Sequence, residues 1–205
     1  MNNKVFFDLI DNIVRLQDEA THTWHREQCS ISDEFDSPVI KNVLLNHMMN
    51  FKLWHTEDVA RRKDVEPSVI AQCKYEIDEL NQKRTDYFEA ANDAFLELLS
   101  PILSKSKFVM QNTESIGSVI DRLSILSLKA YHMTEECNRR QKTDADYENL
   151  NDKLDKLKQQ NKCLVTAFKY SIQEYIDGTK RPIQYKQFKM YNDKTLNPQL
   201  YKTNN

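Results

Sequence analysis

Only two glycines, Gly117 and Gly178, occur in a chain of 205 residues, and this scarcity narrows the available folds more than any other feature. Barrels and sandwiches turn the chain tightly and often, and those turns need positive-φ positions that glycine or asparagine supplies. A chain this poor in glycine is built from long helices with few turns. Its length suits one hydrophobic core rather than two. The sequence therefore predicts an all-α fold: an antiparallel bundle of about five long helices over residues 1–179, followed by an irregular basic, aromatic tail over 180–205.

Apolar spacing sets the helices. Phe6, Leu9, Ile10, Ile13, Leu16 and Ala20 carry a first helix from about residue 3 to about 28. Ser37-Pro38 starts the second, because serine caps free amides and proline loses nothing at the first helical position. Val43, Leu44, Met48, Phe51 and Trp54 continue it to Arg62. Pro67 opens a third, very long helix reaching about Ser100, and the short joint between the two predicts an antiparallel hairpin. The fourth, from Ile116, has apolar residues in nearly every direction around its axis and is expected at the centre. Thr143-x-x-Asp146 resembles a capping box for the fifth, whose Leu150, Leu154, Leu157, Leu164 and Phe168 form a shallow packing seam until Gly178 ends it.

Charge is close to balanced, with 29 basic and 31 acidic residues, so neither specific nucleic-acid binding nor membrane insertion is expected. The amino terminus carries no long apolar run and no 18-residue uncharged stretch occurs, which makes a cytoplasmic location the expectation. Cys29, Cys73, Cys137 and Cys163 lie far apart with no CxxC pair, which predicts reduced, mostly buried thiols. The tail differs from the rest. Lys180, Arg181, Lys186, Lys189, Lys194 and Lys202 stand against Asp193 alone, interleaved with Tyr185, Phe188, Tyr191 and Tyr201. Such a segment either grips nucleic acid or phosphate by pairing and stacking or straps itself onto the acidic helices of its own domain with aromatic anchors.

Two inward stripes turn polar. In the second helix, positions 44, 47, 51, 54, 58 and 61 read Leu, His, Phe, Trp, Asp, Arg; in the third, 77, 81, 84, 88 and 91 read Ile, Asn, Arg, Phe, Ala. Pairing residues at equal distances from the joints brings Glu19, His22, His47, Asn81, Arg84, His132 and Glu135 to one height, within about one turn or about 5 Å. They are expected to form one polar layer. Such a layer satisfies its own hydrogen bonds and fixes register, or it opens on a ligand, with Arg84 clamping a phosphate or carboxylate and a histidine moving a proton. A divalent metal would use Glu19, His22, His47, His132 and Glu135. The Glu-x-x-His order is reversed in the second pair and two further glutamates are missing, so no cofactor is predicted, and a divalent metal on these residues stays open as the less favoured alternative.

Trp54, His55, Glu57, Asp58, Arg61 and Arg62 crowd two turns before the hairpin joint. Glu57 and Arg61 are spaced as a surface ion pair, and Trp54 could wall a ring or sugar. In the fourth helix Asp121, Arg122 and Lys129 stand among apolar residues, as buried ion pairs or as site residues. No Ser-His-Asp order, glycine-rich phosphate loop or dinucleotide fingerprint is present, which counts against the common hydrolase, kinase and dehydrogenase solutions.

Four stretches carry a resemblance: Asn50 to Arg61 (NFKLWHTEDVAR), Ile77 to Arg84 (IDELNQKR), Gly117 to Lys129 (GSVIDRLSILSLK), and Gln187 to Asp193 with Leu196-Asn-Pro198. Together they resemble a bacterial family known as domain of unknown function 4254. The resemblance implies an all-helical cytoplasmic protein encoded near cell-envelope glycan or lipopolysaccharide genes, with no established activity. It marks Trp54, Glu57, Asp58, Arg61, Asp78, Asn81, Arg84, Asp121, Arg122 and Lys129 as motif positions.

Three functional readings follow. The first is an accessory or ligand-binding protein of envelope glycan metabolism, with a polar pocket between helices two, three and four that takes a sugar phosphate or nucleotide sugar; its ligand-binding residues would be Trp54, Glu57, Arg61, Asn81, Arg84, Arg122 and Lys129. The second is an enzyme on such a sugar, with Arg84, Arg61 or Lys129 holding the anion and His47, His132, Asp58 or Asp121 as catalytic groups. The third is an interaction module that binds itself or a glycosyltransferase.

Overall fold

The computed structural model describes residues 3–32, 34–103, 110–140 and 146–201. These residues are mostly helical: α1 Asn3–Trp24, α2 Pro38–Ala60, α3 Pro67–Leu99, α4 Ile116–Arg139 and α5 Tyr147–Asp177, followed by a short, largely irregular carboxy-terminal region. Ser37 caps α2, its hydroxyl accepting from the Ile40 amide at 3.5 Å, with Pro38 at the first helical position. Gly178 ends α5 in the left-handed region at φ 76°. No helix among the described residues is long and apolar enough to cross a membrane.

The structure corrects several expectations. α1 ends at Trp24 rather than near residue 28, because the indole N–H donates to the Ser30 carbonyl at 3.0 Å and folds the chain back over the last turn. Asp146 stands at the N-cap of α5 with no side-chain cap bond, so it does not take the inner place of a capping box; Thr143 lies outside the described residues. The root of the tail is tied rather than irregular. Lys180–Arg181 (β2) pairs in parallel with Met110–Gln111 (β1), just before α4. Cys73 and Cys137 are buried, Cys29 is half-buried and Cys163 is exposed, since position 163 falls off the inner α5 stripe that runs through Leu154, Leu164 and Phe168.

The interior has three levels along the helices. At one end a single apolar cluster draws on every helix, with Phe6, Ile10 and Ile13 from α1, Val43 from α2, Phe95 and Leu99 from α3, Ile120 and Leu123 from α4, and Phe168 and Ile172 from α5. These residues recur at three- and four-residue spacing, as one face of a helix requires. One turn further the same faces become polar, at Gln17 and Thr21, Asn46, His47 and Asn50, and Asp121 and Ser124, all buried. Beyond them lies an aromatic and imidazole level around Trp24, Phe51 and Leu128. α4 touches each of the other four helices, which agrees with its nearly all-round apolar pattern.

Gly117 explains how closely α3 and α4 approach. A Cβ placed there would stand 2.2 Å from the Phe88 backbone carbonyl oxygen and 3.0 Å from the Asn92 Cβ. The Gly117 amide meanwhile donates to Asn92 Oδ1 at 3.3 Å. Alanine favours an isolated helix by about 1 kcal/mol over glycine, but backbone cannot yield as a side chain can. We therefore expect Gly117→Ala to destabilise the protein by about 1–3 kcal/mol net, read as a fall of about 2–10 °C in the thermal midpoint by circular dichroism.

Candidate functional site

α4 carries Asp121 into the middle of the structure with its side chain 9 % exposed. Arg84 of α3 grips both carboxylate oxygens, Nε to Oδ1 at 2.8 Å and Nη2 to Oδ2 at 2.5 Å. Asn46 and Asn50, one turn apart on α2, each donate to Oδ1 at 2.9 Å. Asn46 also donates to the Arg84 carbonyl at 3.2 Å and Asn50 to Ser124 Oγ at 2.9 Å. Ser124 lies 2.7 Å from His47 Nδ1, and His47 Nε2 lies 2.9 Å from Thr21 Oγ1.

Each hydroxyl has one proton, so the directions follow. Thr21 donates its proton to the Gln17 carbonyl at 2.8 Å, hence it accepts from His47 Nε2–H. Nδ1 is then the lone-pair nitrogen and accepts from Ser124. This makes His47 neutral, and burial pushes its pKa down to about 3. The imidazole is fully enclosed. It serves as a link in a directed network, out of reach of an outside ligand.

Arg84 stands at the network's edge. Its side chain is 27 % exposed, Nη1 has no hydrogen-bond partner among the described residues, and the bond to Asp121 holds the guanidinium's pKa above its ordinary value. It opens on a cleft of about 500 Å³ whose wall includes Asn81, Arg84, Asp121, Arg122 and Lys189. An adjoining cleft of about 440 Å³ shares Asn81, Arg84 and Ile125 and adds Trp54, Glu57, Asp58 and Arg61. Lys189 comes from the tail; its ammonium donates to the Asn81 carbonyl, and burial, followed by the Arg84 charge, lowers its pKa. Arg122 is exposed and pairs with Glu114.

The tail reaches this cleft as a strap on α3. Lys186 bridges Glu89 at 3.3 Å and Asp93 at 3.1 Å, and the Gln187 amide donates to Glu89 at 2.8 Å. The aromatics do not bury as the expected anchors: Tyr191, Tyr201 and above all Phe188, 81 % exposed, face outward, and Tyr185 is tied only through its hydroxyl, which donates to the Asn112 carbonyl at 3.2 Å. Charge pairing and backbone bonds hold the strap instead. Lys202 lies outside the described residues.

The expected single polar layer divides. His47 and Arg84 join the buried network, whereas Asn81 stays outside it, its backbone carbonyl accepting from Thr85 and Lys189. His132 and Glu135, 3.5 Å apart, belong to the next level. Glu19 turns outward to Arg15 at 2.7 Å, and His22 meets Asp18 at 4.0 Å and the edge of Tyr131. The metal set Glu19, His22, His47, His132 and Glu135 is therefore not assembled. At that height the inward face of α1 carries Gln17 and Thr21, and positions two residues away point elsewhere.

Glu57 and Arg61 form the expected surface pair at 2.7 Å. Trp54 stacks on His132 with centroids 4.6 Å apart and planes 6° apart. Lys129 is exposed and lines a third cleft beside these two rings. Sequence reasoning misses Asn46, Asn50, Ser124 and Thr21, and also His25; it names His55 only as part of the crowded stretch before the hairpin joint. The signal for the first group is a second polar stripe next to the one followed: 46 and 50 on α2 face 121 and 124 on α4.

The family described as Protein of unknown function (DUF4254) matches residues 41–183, most of the chain, and the chain belongs to it. The matched span holds Asn46, His47, Asn50, Arg84, Asp121 and Ser124, whereas α1 and Lys189 lie outside it. No curated protein and no solved structure matches the chain.

Two outcomes follow from the network. Arg84→Met leaves a buried carboxylate with amide donors only and is expected to cost about 3 kcal/mol. With Asp121→Asn added, the loss should fall short of the sum of the single losses by about 1–3 kcal/mol, measured by urea denaturation of both single variants and the double. His47 takes no proton in the folded state until pH nears 3 but takes one near 6.5 when unfolded. Its contribution to stability is thus complete above pH 6.5 and is lost as pH falls toward 3. The slope approaches about 1.4 kcal/mol per pH unit, and His47→Gln should remove that share in denaturation series run from pH 7 to pH 5.

Proposed function

We propose that this DUF4254 member is an accessory protein that binds a phosphate-bearing sugar in the groove formed by the two clefts at Arg84, the five helices serving as one antiparallel bundle that holds the groove open. The observation that carries the reading is the arginine itself: two of its nitrogens are fixed on Asp121, Nη1 has no hydrogen-bond partner among the described residues, and the side chain lines the cleft. A guanidinium held this way is oriented before a ligand arrives, so little ordering entropy is lost on binding.

Lys189 and Arg122 share the same cleft, giving three cations against the carboxylates of Asp121 and Glu114. A bound phosphate would relieve the repulsion between Arg84 and Lys189. In the adjoining cleft Trp54, Glu57 and Asp58 offer an aromatic surface and carboxylate acceptors of the kind that sugar hydroxyls use. No histidine lines either cleft, and His47 is sealed behind Ser124 and Asn50. These facts favour binding over proton-transfer catalysis on a phosphorylated or nucleotide-linked sugar. The setting in bacterial cell-envelope or lipopolysaccharide metabolism, in the cytoplasm, is part of the proposal and rests on the family resemblance.

A second reading has its own support. The exposed Phe188, Met190, Tyr191 and Tyr201 suit docking onto a glycosyltransferase or a second copy of the chain, with the strap as the contact.

Titration calorimetry with a hexose 1-phosphate and its nucleoside-diphosphate sugar tests the first reading. Lys189→Met and Arg84→Lys should each weaken binding by about tenfold or more, equivalent to about 1.4 kcal/mol. Lys189→Met should do so with little change in melting temperature. Absence of binding by the wild-type chain, or binding unaffected by both substitutions, would overturn it.

A further inference from the structure

Three of the chain's five histidines converge where neither the network nor the groove uses them. His25 follows the end of α1, His55 lies on α2 and His132 on α4. One nitrogen of each lies within 4.8 Å of those of the other two. The rings meet edge to face, His25 to His55 at 5.1 Å, His25 to His132 at 4.8 Å and His55 to His132 at 5.6 Å between centroids.

The hydrogen bonds assign the protons on two of the rings. His25 Nδ1 lies 2.7 Å from the Thr21 carbonyl, which can only accept, so Nδ1 carries the hydrogen and Nε2 the lone pair. His132 Nδ1 stands 3.5 Å from the Glu135 carboxylate, which favours the same tautomer. Both Nε2 atoms are buried and have no hydrogen-bond partner among the described residues. A ring whose far N–H rests on a carbonyl or carboxylate while its near lone pair is free is the arrangement that orients an imidazole for a metal ion.

Packing holds the rings in place. Tyr131 stacks on His25 at 3.9 Å, Trp54 stacks on His132 at 4.6 Å, and Phe51 sets its edge against His25 and His55. Burial first, and then the neighbouring His25, lowers the pKa of His55 and His132. Asp58 and Glu135 act on both in the opposite sense and would offset the charge of a cation.

We propose that His25, His55 and His132 form a three-imidazole site for a divalent transition metal, with zinc the best fit. An all-nitrogen set disfavours calcium and magnesium, which take oxygen ligands. Tetrahedral zinc with Zn–N of about 2.0–2.1 Å places its ligand nitrogens about 3.3 Å apart, so the rings need to close by roughly 1 Å or a little more. Three protein ligands leave a fourth position open, the pattern of reactive rather than structural zinc. The inference is independent of the anion reading. It also differs from the metal set suggested by the sequence, sharing only His132 as a ligand and placing Glu135 behind it.

The test is zinc titration of the metal-stripped full chain, with cobalt(II) as a spectroscopic substitute. Expected are one equivalent of zinc bound with Kd below about 1 µM, a raised melting temperature, and the intense visible bands of tetrahedral cobalt. His25→Gln and His55→Gln should each weaken zinc binding by about 100-fold, whereas His22→Gln, one turn before His25, should leave it unchanged. Failure to bind zinc, weak octahedral cobalt bands in the wild-type chain, or equal affinity in His55→Gln would each overturn the proposal. The cobalt spectrum of the wild type decides the matter even where a variant folds poorly.

Discussion

A carboxylate buried in the second turn of a helix must be met by donors from its neighbours, and the arrangement of α2, α3 and α4 follows from how Asp121 is met. Arg84 reaches it from α3, and Asn46 and Asn50 reach it from α2. Sliding either helix by one turn, about 5.4 Å, would remove these bonds and strand a charge in the interior. Apolar packing alone is tolerant of such slips, because one leucine layer resembles the next. The bonds from Asn46 to the Arg84 carbonyl and from Asn50 to Ser124 tie the same three helices again. His47 extends the constraint to α1 through Thr21.

The helical framework was legible because its signals are local. Two glycines rule out a turn-rich fold, and each has a specific place: Gly178 in a left-handed helix end, Gly117 where a Cβ would strike the Phe88 carbonyl. Ser37-Pro38 and Pro67 mark helix starts by chemistry that needs no tertiary context. His47, Arg84 and Asp121 stood out for a related reason, since each interrupts an apolar run.

The composition of the site was harder to read because height and facing are different quantities. Counting from a joint gives a residue's height along its helix, while each residue added turns the side chain by about 100°. Glu19 and His22 were thus assigned near the right height and the wrong side, with Thr21 between them facing in. His25 lies just past α1 in a segment whose path depends on the Trp24 to Ser30 contact, and nothing in its spacing reveals that. Overall charge balance likewise hides the cleft, where Lys189 enters from a tail remote in sequence and is held there by Lys186 on Glu89 and Asp93.

Stability alone gives little reason for an ion pair at positions 84 and 121. Replacing a buried pair with apolar residues of similar volume is often neutral or favourable, because both ions must be stripped of water. Registry is one benefit of keeping the pair. The partly exposed geometry of Arg84 suggests another, under the anion reading. A fully buried guanidinium could fix register but could not meet a ligand, whereas a fully exposed one would meet a ligand without being oriented. With Nε and Nη2 on Asp121 and Nη1 unpartnered among the described residues, the same side chain can do both, and a phosphate could bind it without breaking the pair that holds three helices together.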